Sequence, residues 1–163
     1  MALFPPGKGG GEDIIKGYKG KGVLIHLMAD NKGNPLFFRV SGANGDEKEY
    51  AIRLMRECKK MGMKPKKLQA DKGYDSKRVR MYAENILVCY TDIPYREWDV
   101  ERKGKYRKPK QDKGNTRYTV ERSFAWIYKK YRRFACRWER KASCFIGFIS
   151  VGISLFWINK VLG

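Results

Sequence analysis

Apolar positions in the first part of the chain change from a strand-like to a helix-like period. Two β-branched and apolar runs, residues 22–30 and 35–41, flank the turn sequence NKGN, which predicts a β-hairpin. Acidic residues then open a stretch with helical spacing that extends to about Met61, where Gly62 and Pro65 follow. These patterns predict antiparallel strands followed by a helix.

Shorter elements are expected in the middle of the chain. Residues 66–71, KKLQAD, predict a short strand, and a basic helix is predicted from Ser76. The apolar residues 86–91 predict another buried strand. Together with the hairpin and the helices, this order predicts an α/β or α+β fold with a mixed sheet.

Two further helices are expected toward the end of the chain. Residues 116–140 carry apolar side chains at steps of three and four, which predicts one long helix with Glu121 on a face beside the apolar one. The apolar run from Cys144 to Ile158 is 15 residues long. This is shorter than the roughly 18 residues expected of a membrane span, so a buried core helix is predicted, with a membrane helix as the alternative.

Length and composition indicate one folded domain. The 163 residues and the 42% apolar content are enough for an ordinary core. Residues 1–21, rich in Gly, Pro and Lys, predict a loop or weakly ordered arm, and residues 22–163 are assigned to the folded domain. The absence of a signal-peptide pattern and four scattered cysteines without a histidine cluster predict a cytosolic protein without a zinc site.

The charge balance indicates a polyanionic partner. The chain has 36 Lys and Arg against 17 Asp and Glu, a net charge of +19. Nucleic acid is the first candidate and an anionic membrane surface the second. We predict salt-sensitive DNA binding, with little sequence selectivity, through these cations: Lys103, Lys105, Arg107, Lys108, Lys110, Arg132, Arg133 and Arg137.

Few acidic or histidine side chains have a pattern typical of chemistry. Asp71 stands at the carboxyl end of a predicted strand, where α/β folds assemble their sites. Glu121 allows two interpretations, a helix salt bridge with Arg117 or a site residue. Asp30 is expected to serve the hairpin turn, and Asp75 to lie in the N-cap region of the next helix. The single histidine, His26, is expected to be structural.

Four stretches occur together in the order of one known family. They are KGKGVLIHLMADNKGNPLFFRVSGAN at 19–44, LQADKGYDS at 68–76, RYTVERSFAWIYKKYRRFACRWERKASCF at 117–145, and the apolar tail ending in FWI. The chain resembles the ribonuclease H-like catalytic domain of insertion-sequence DDE transposases. The resemblance implies that Asp71 and Glu121 are catalytic carboxylates that bind two Mg²⁺ or Mn²⁺ ions, and that Arg117 assists them.

The resemblance also implies a departure near the start of the chain. In that family the first catalytic aspartate lies on a strand just before a Gly-rich stretch, which GKGGGED matches here, and only MALFPP precedes it. We therefore expect the first aspartate and part or all of its central strand to be missing. An inactive fragment, or the downstream part of a split reading frame, is one expectation. Glu12 and Asp13 are the candidates to substitute.

The implied activity is metal-dependent DNA cleavage and strand transfer at the ends of an insertion sequence. The implied partner is double-stranded DNA, bound by a homo-oligomer in the cytoplasm of a prokaryote and associated with the nucleoid, without a membrane. The alternative is a basic DNA-binding module without catalysis. A metal-dependent nicking assay separates the two.

Overall fold

The computed structural model describes residues 2–95, 124–126 and 129–163. The chain divides into two compact units. The central unit is continuous and covers Asp46–Thr119, whereas the split unit combines Ala2–Gly45 with Val120–Gly163. The two ends of the chain therefore belong to the same unit.

An antiparallel sheet forms the framework of the split unit. Its central strand β3, Gly20–Ala29, pairs with β1, Ala2–Leu3, with β2, Ile15–Gly17, and with β4, Pro35–Gly42. The β3–β4 pair is the hairpin that the apolar runs predict, and that prediction is confirmed. The middle of β3 is buried, because its β-branched and leucine side chains form part of the core.

The segment before β3 contains more structure than its composition predicts. The prediction of a loop at residues 1–21 is wrong at β1 and β2, which add short pairings to β3. The predicted boundary at residue 21 falls inside β3. Short Gly- and Lys-rich segments have no periodicity of their own, and here β3 offers them backbone groups with which to pair.

Helix α3, Ala142–Leu162, ends the split unit. Only Phe145, Ile149 and Gly152 are buried along it, so the prediction of a buried core helix is wrong for most of its length. By length and composition α3 could cross a membrane, and 17% of its most apolar window is buried. One such helix is not by itself an indication of a membrane protein.

The long helix predicted at residues 116–140 ends earlier in the structure. Residues 124–126 and 129–130 are helical, and a 3-10 turn, Arg132–Phe134, follows. The prediction is therefore wrong beyond residue 130. From there the backbone turns to pair with the N-terminal segment. The Arg137 carbonyl accepts a hydrogen bond from the Lys8 backbone N–H at 3.1 Å, and the Arg137 backbone N–H donates to the Pro6 carbonyl at 2.9 Å.

The central unit packs two helices with a small parallel sheet. Helix α1 is Glu47–Lys60 and helix α2 is Lys77–Asn85, and strands β5, Lys67–Gln69, and β6, Tyr90–Asp92, pair in parallel. Both helices begin near their predicted starts, at side-chain caps provided by Asp46 and Ser76. Strands and helices together confirm the predicted α/β class. Among the described residues the predicted mixed sheet is wrong, because the antiparallel and the parallel strand pairs belong to two separate sheets.

The prediction of a strand at residues 86–91 is wrong for most of that range. Residue Ile86 caps α2, and the pairing of β6 starts only at Tyr90. Leu87 and Cys89 are nevertheless buried, so the apolar run contributes to the core from a turn rather than from a strand. In this segment, residues can therefore be buried without being paired in a strand.

Candidate functional site

Asp71 follows β5 at the carboxyl end of the small parallel sheet. It caps the 3-10 turn Lys72–Tyr74, and its Oδ1 accepts the Gly73 N–H at 2.7 Å. The residue is exposed, and no other described group donates a hydrogen bond to its carboxylate. A single backbone contact thus orients a carboxylate that is open to solvent.

A second carboxylate, Glu47, borders the same turn. A Cβ placed on Gly73 would lie 2.8 Å from Asp71 Oδ1 and 3.9 Å from Glu47 Oε2. Both acids therefore face the small space that the missing side chain of Gly73 leaves. Glu47 belongs to the first turn of α1, where the sequence indicates only a helix-dipole role.

The Tyr74 hydroxyl lies at the inner side of these two acids. Tyr74 is 4% exposed, and its hydroxyl makes no well-formed hydrogen bond within the described part of the chain. Burial first, and then the charges of Glu47 and Asp71, raise the pKa of Tyr74 above its ordinary value. A protonated phenol beside these carboxylates is a potential hydrogen-bond donor to Glu47.

The oxygen groups at this turn suit a hard divalent cation. Mg²⁺ and Mn²⁺ prefer carboxylate oxygens and retain water ligands, so a few acids can hold them. Among the described residues, no three acids, cysteines or histidines cluster closely enough to hold a metal ion. The predicted partners Glu121 and Arg117 lie outside the described residues. Asp71 is the predicted metal ligand whose surroundings the structure gives.

Two neighbouring aspartates of the central unit are already engaged. Asp92, at the end of β6, forms an ion pair with Lys67 Nζ and accepts a hydrogen bond from Gln69 Nε2, each at 2.7 Å. Asp75 pairs with Arg80 at 2.8 Å, and both side chains are almost fully buried. The structure thus corrects the prediction that Asp75 belongs to the cap of α2, because Ser76 provides that cap.

The predicted DNA-contacting cations have different surroundings. Arg133 is exposed, with its Nε 2.8 Å from Glu139 Oε1. Arg137 is completely buried, and its guanidinium donates to the backbone carbonyls of Glu139 and Arg140. This burial corrects the prediction that Arg137 contacts phosphate, because a phosphate could not reach it. The side chain of Arg132 and the loop cations Lys103, Lys105, Arg107, Lys108 and Lys110 lie outside the described residues.

The remaining candidate residues of the split unit have structural contacts. His26 is buried, with Nε2 2.9 Å from Ser41 Oγ, which confirms its structural role. Asp30 accepts the backbone N–H groups of its turn, which confirms the turn prediction. The Glu12 carboxylate accepts the Ala142 N–H at 2.9 Å and so caps α3. Asp13 occupies a left-handed turn with a φ of 59°.

Known proteins provide an independent comparison. Residues 5–157 match the family described as the transposase DDE domain. The chain is similar to a protein of Burkholderia cepacia described as a putative transposase for insertion sequence element IS402, with 27% identity over 147 residues. The match covers 86% of this chain and 64% of the relative, so the chain spans less than two thirds of that protein's length. No solved structure matches the chain.

Proposed function

The chain belongs to the family of transposase DDE domains, and from this premise we propose that it cleaves DNA at the ends of an insertion sequence and joins those ends to target DNA. The observation that carries the proposal is the exposed Asp71 carboxylate, oriented by Gly73 at the end of β5. The motif LQADKGYDS, which the family resemblance rests on, surrounds this residue.

The proposed metal ligands are Asp71 and Glu121, with two Mg²⁺ or Mn²⁺ ions. Such ions, when bound, activate the attacking hydroxyl and stabilise the leaving oxygen at a phosphodiester. The chain's own contribution is to fix the ligands: Gly73 holds one oxygen of Asp71, and Glu47 adds negative charge beside it. Arg117 is proposed to orient the Glu121 carboxylate.

The proposed substrate surface consists of cations. Lys103, Lys105, Arg107, Lys108 and Lys110, with Arg132 and Arg133, are proposed to contact phosphates of double-stranded DNA. The support is the net charge of +19 and the exposure of Arg133 beyond its contact with Glu139. We further propose that the chain acts as a homo-oligomer on DNA. Its proposed location is the prokaryotic cytoplasm, associated with the nucleoid, and its proposed fold is ribonuclease H-like.

Metal binding can be tested without a catalytic assay. We expect Mg²⁺ or Mn²⁺ to raise the thermal unfolding midpoint of the chain, because an ion that binds only the folded state stabilises it by mass action. Asp71→Asn and Glu121→Gln should remove most of this shift. Glu49→Gln is the control, because it also removes one carboxylate from the chain. Glu49 pairs with Arg78 at 3.0 Å and is not a proposed ligand, so this variant should leave the shift unchanged.

Catalysis is tested by nicking of DNA that carries the element's ends. The expected result is cleavage with Mg²⁺ that Asp71→Asn lowers by orders of magnitude, because a misplaced metal ligand misaligns the reacting oxygens. Cleavage that Asp71→Asn leaves unchanged would refute the assignment. Salt-sensitive DNA binding without metal-dependent cleavage would favour the alternative, a basic DNA-binding module.

A further inference from the structure

The tip of the β2–β3 hairpin projects an aromatic side chain among lysines. Tyr18 and Lys19 form a two-residue turn, and Tyr18 is 103% exposed. Lys16 and Lys21 lie directly opposite each other on the two strands, and both are exposed. Within the described residues, none of these three lysines forms an ion pair. We call residues 16–21 the hairpin tip.

The hairpin tip retains features that cost stability. Opposed residues of an antiparallel pair place their side chains on the same face, so Lys16 and Lys21 repel each other across the strands. The Tyr18 ring gains nothing from burial, because its whole surface is in water. Neither feature helps the sheet, and both would become favourable against a negatively charged partner that has a flat face.

The backbone holds the hairpin tip in place. Gly17 lies against the backbone of Ala43, so closely that a side chain at position 17 would overlap with the Ala43 carbonyl. Gly20 has a φ of +118°, a conformation that favours glycine. The turn therefore presents Tyr18 from a fixed base, which limits the entropy lost when the ring binds.

We propose that the hairpin tip binds DNA at unpaired nucleotides, with Tyr18 stacked on an exposed base and Lys16, Lys19 and Lys21 at the flanking phosphates. Aromatic side chains interleaved with cations are the usual chemistry for single-stranded nucleic acid, because every base offers a flat face. The choice of DNA as the partner rests on the proposed function. Cleavage of a strand removes the covalent link that holds the adjacent base pairs stacked, so the bases at the cut ends of the element can unpair.

The test measures binding of the full chain to labelled DNA by fluorescence anisotropy in EDTA. One probe is a fully paired duplex, and the other is the same duplex with a short single-stranded overhang. We expect Tyr18→Ser to weaken binding to the overhang probe roughly tenfold or more, with little change for the paired duplex. Tyr18→Phe should restore the preference, because the ring and not the hydroxyl stacks.

The lysines are tested through salt dependence. The triple substitution Lys16→Gln, Lys19→Gln, Lys21→Gln should lower the slope of log K against log salt by about two to three. Its matched control changes the same charge on exposed lysines of the central unit: Lys59→Gln, Lys64→Gln, Lys66→Gln. Equal losses from the two triple variants would overturn the proposal, because only total charge would then matter.

Two further measurements distinguish an effect on DNA binding from an effect on folding or on catalysis. The triple lysine variant should keep or raise the thermal midpoint, because it removes a repulsive lysine pair. The Tyr18 variants should keep it, because the Tyr18 ring is fully exposed. A midpoint that falls would show a structural role instead. Because binding is measured in EDTA, failure of metal-dependent cleavage leaves this result intact, and the reverse also holds. Loss of binding to phosphatidylserine vesicles in place of loss of DNA binding would also overturn the proposal.

Discussion

Asp30 shows how one carboxylate holds the turn between β3 and β4. Its oxygens accept the backbone N–H groups of Lys32 and Asn34 at 2.8 Å and the Asn34 side-chain amide at 2.5 Å. Partial burial opposes ionisation, but these hydrogen bonds and the charge of Lys160 outweigh it. The pKa of Asp30 is therefore lowered from its ordinary value of 3.8.

The lowered pKa predicts a pH dependence of stability. Because the folded pKa lies below the unfolded one, ionised Asp30 stabilises the fold above about pH 4, and this stabilisation disappears as the pH falls through the folded pKa. Asp30→Asn should thus lower the free energy of unfolding at pH 7, and the difference from wild type should shrink in acid. Urea unfolding at a series of pH values measures it. A difference that grows toward low pH would contradict the assignment.

Residue roles set by local sequence are predictable, and those set by distant contacts are not. Asp30 acts on backbone groups a few positions away, so turn rules identify it. Asp75 instead meets Arg80, whose guanidinium also donates to the Ile93 carbonyl at 2.7 Å. The Ile93 contact, which is what fixes the Arg80 guanidinium beside Asp75, depends on how α2 lies against β6, and no spacing in the sequence indicates it.

The same limit applies to the candidate site. Asp71 is predictable from its place at the end of a strand. Glu47 is not, because it meets Asp71 only when α1 folds beside the 3-10 turn. Tyr74 lies in that turn itself, and what the sequence does not give is the burial of its hydroxyl beside Glu47. The available sequence signal for Tyr74 is its place in the stretch KGYDS after Asp71. An aromatic ring three residues from a proposed ligand indicates a buried side chain beside that ligand.

At the scale of elements, two glycines of α3 differ in their surroundings. Gly152 packs against the ring of the buried Phe134, and a Cβ there would lie 2.6 Å from Phe134 Cζ. Around Gly147, no atom beyond its chain neighbours and the adjacent helix backbone lies within 4 Å of the equivalent position. The two sites thus separate helix propensity from packing within one helix.

We expect alanine to have opposite effects at these two positions. Gly147→Ala should raise the free energy of unfolding by about 0.5–1 kcal/mol, because alanine is the better helix former. Gly152→Ala gains the same propensity but forces the Phe134 ring to move, so a net loss of about 1–3 kcal/mol is expected. Chemical denaturation of both variants measures the two changes. Stabilisation by both would show that Phe134 does not pack on Gly152.

Elements with strong periodicity or caps are predictable, whereas elements that depend on a partner are not. The hairpin β3–β4 and helices α1 and α2 follow from alternation, acidic starts and terminal glycine. Strands β1 and β2 exist only because β3 pairs with them. The predicted helix continues to residue 140, yet the backbone of Arg137 and Arg140 pairs with the N-terminal segment instead.

For the whole molecule, the net charge of +19 predicts that salt stabilises the fold. Like charges repel most in the compact state, and the screening length falls from about 10 Å at 0.1 M salt to about 3 Å at 1 M. The thermal midpoint should therefore rise with NaCl concentration, and equally with KCl, which excludes a specific ion effect. A midpoint that falls with either salt would mean that attractive ion pairs, rather than repulsion, dominate.

The split unit also fixes an order of events during synthesis. Glu12 caps Ala142 across a separation of 130 residues, and Trp157 Nε1 donates to the Pro35 carbonyl at 2.9 Å. At translation rates of about 5–20 residues per second, the first strands wait roughly ten seconds for these partners to be made. The central unit, continuous in sequence, can fold during that interval. Nascent chains are therefore most exposed to chaperones and proteases, and to pairing with one another through the Pro6 and Lys8 backbone groups that later bond to Arg137, before the C-terminal part of the split unit is made.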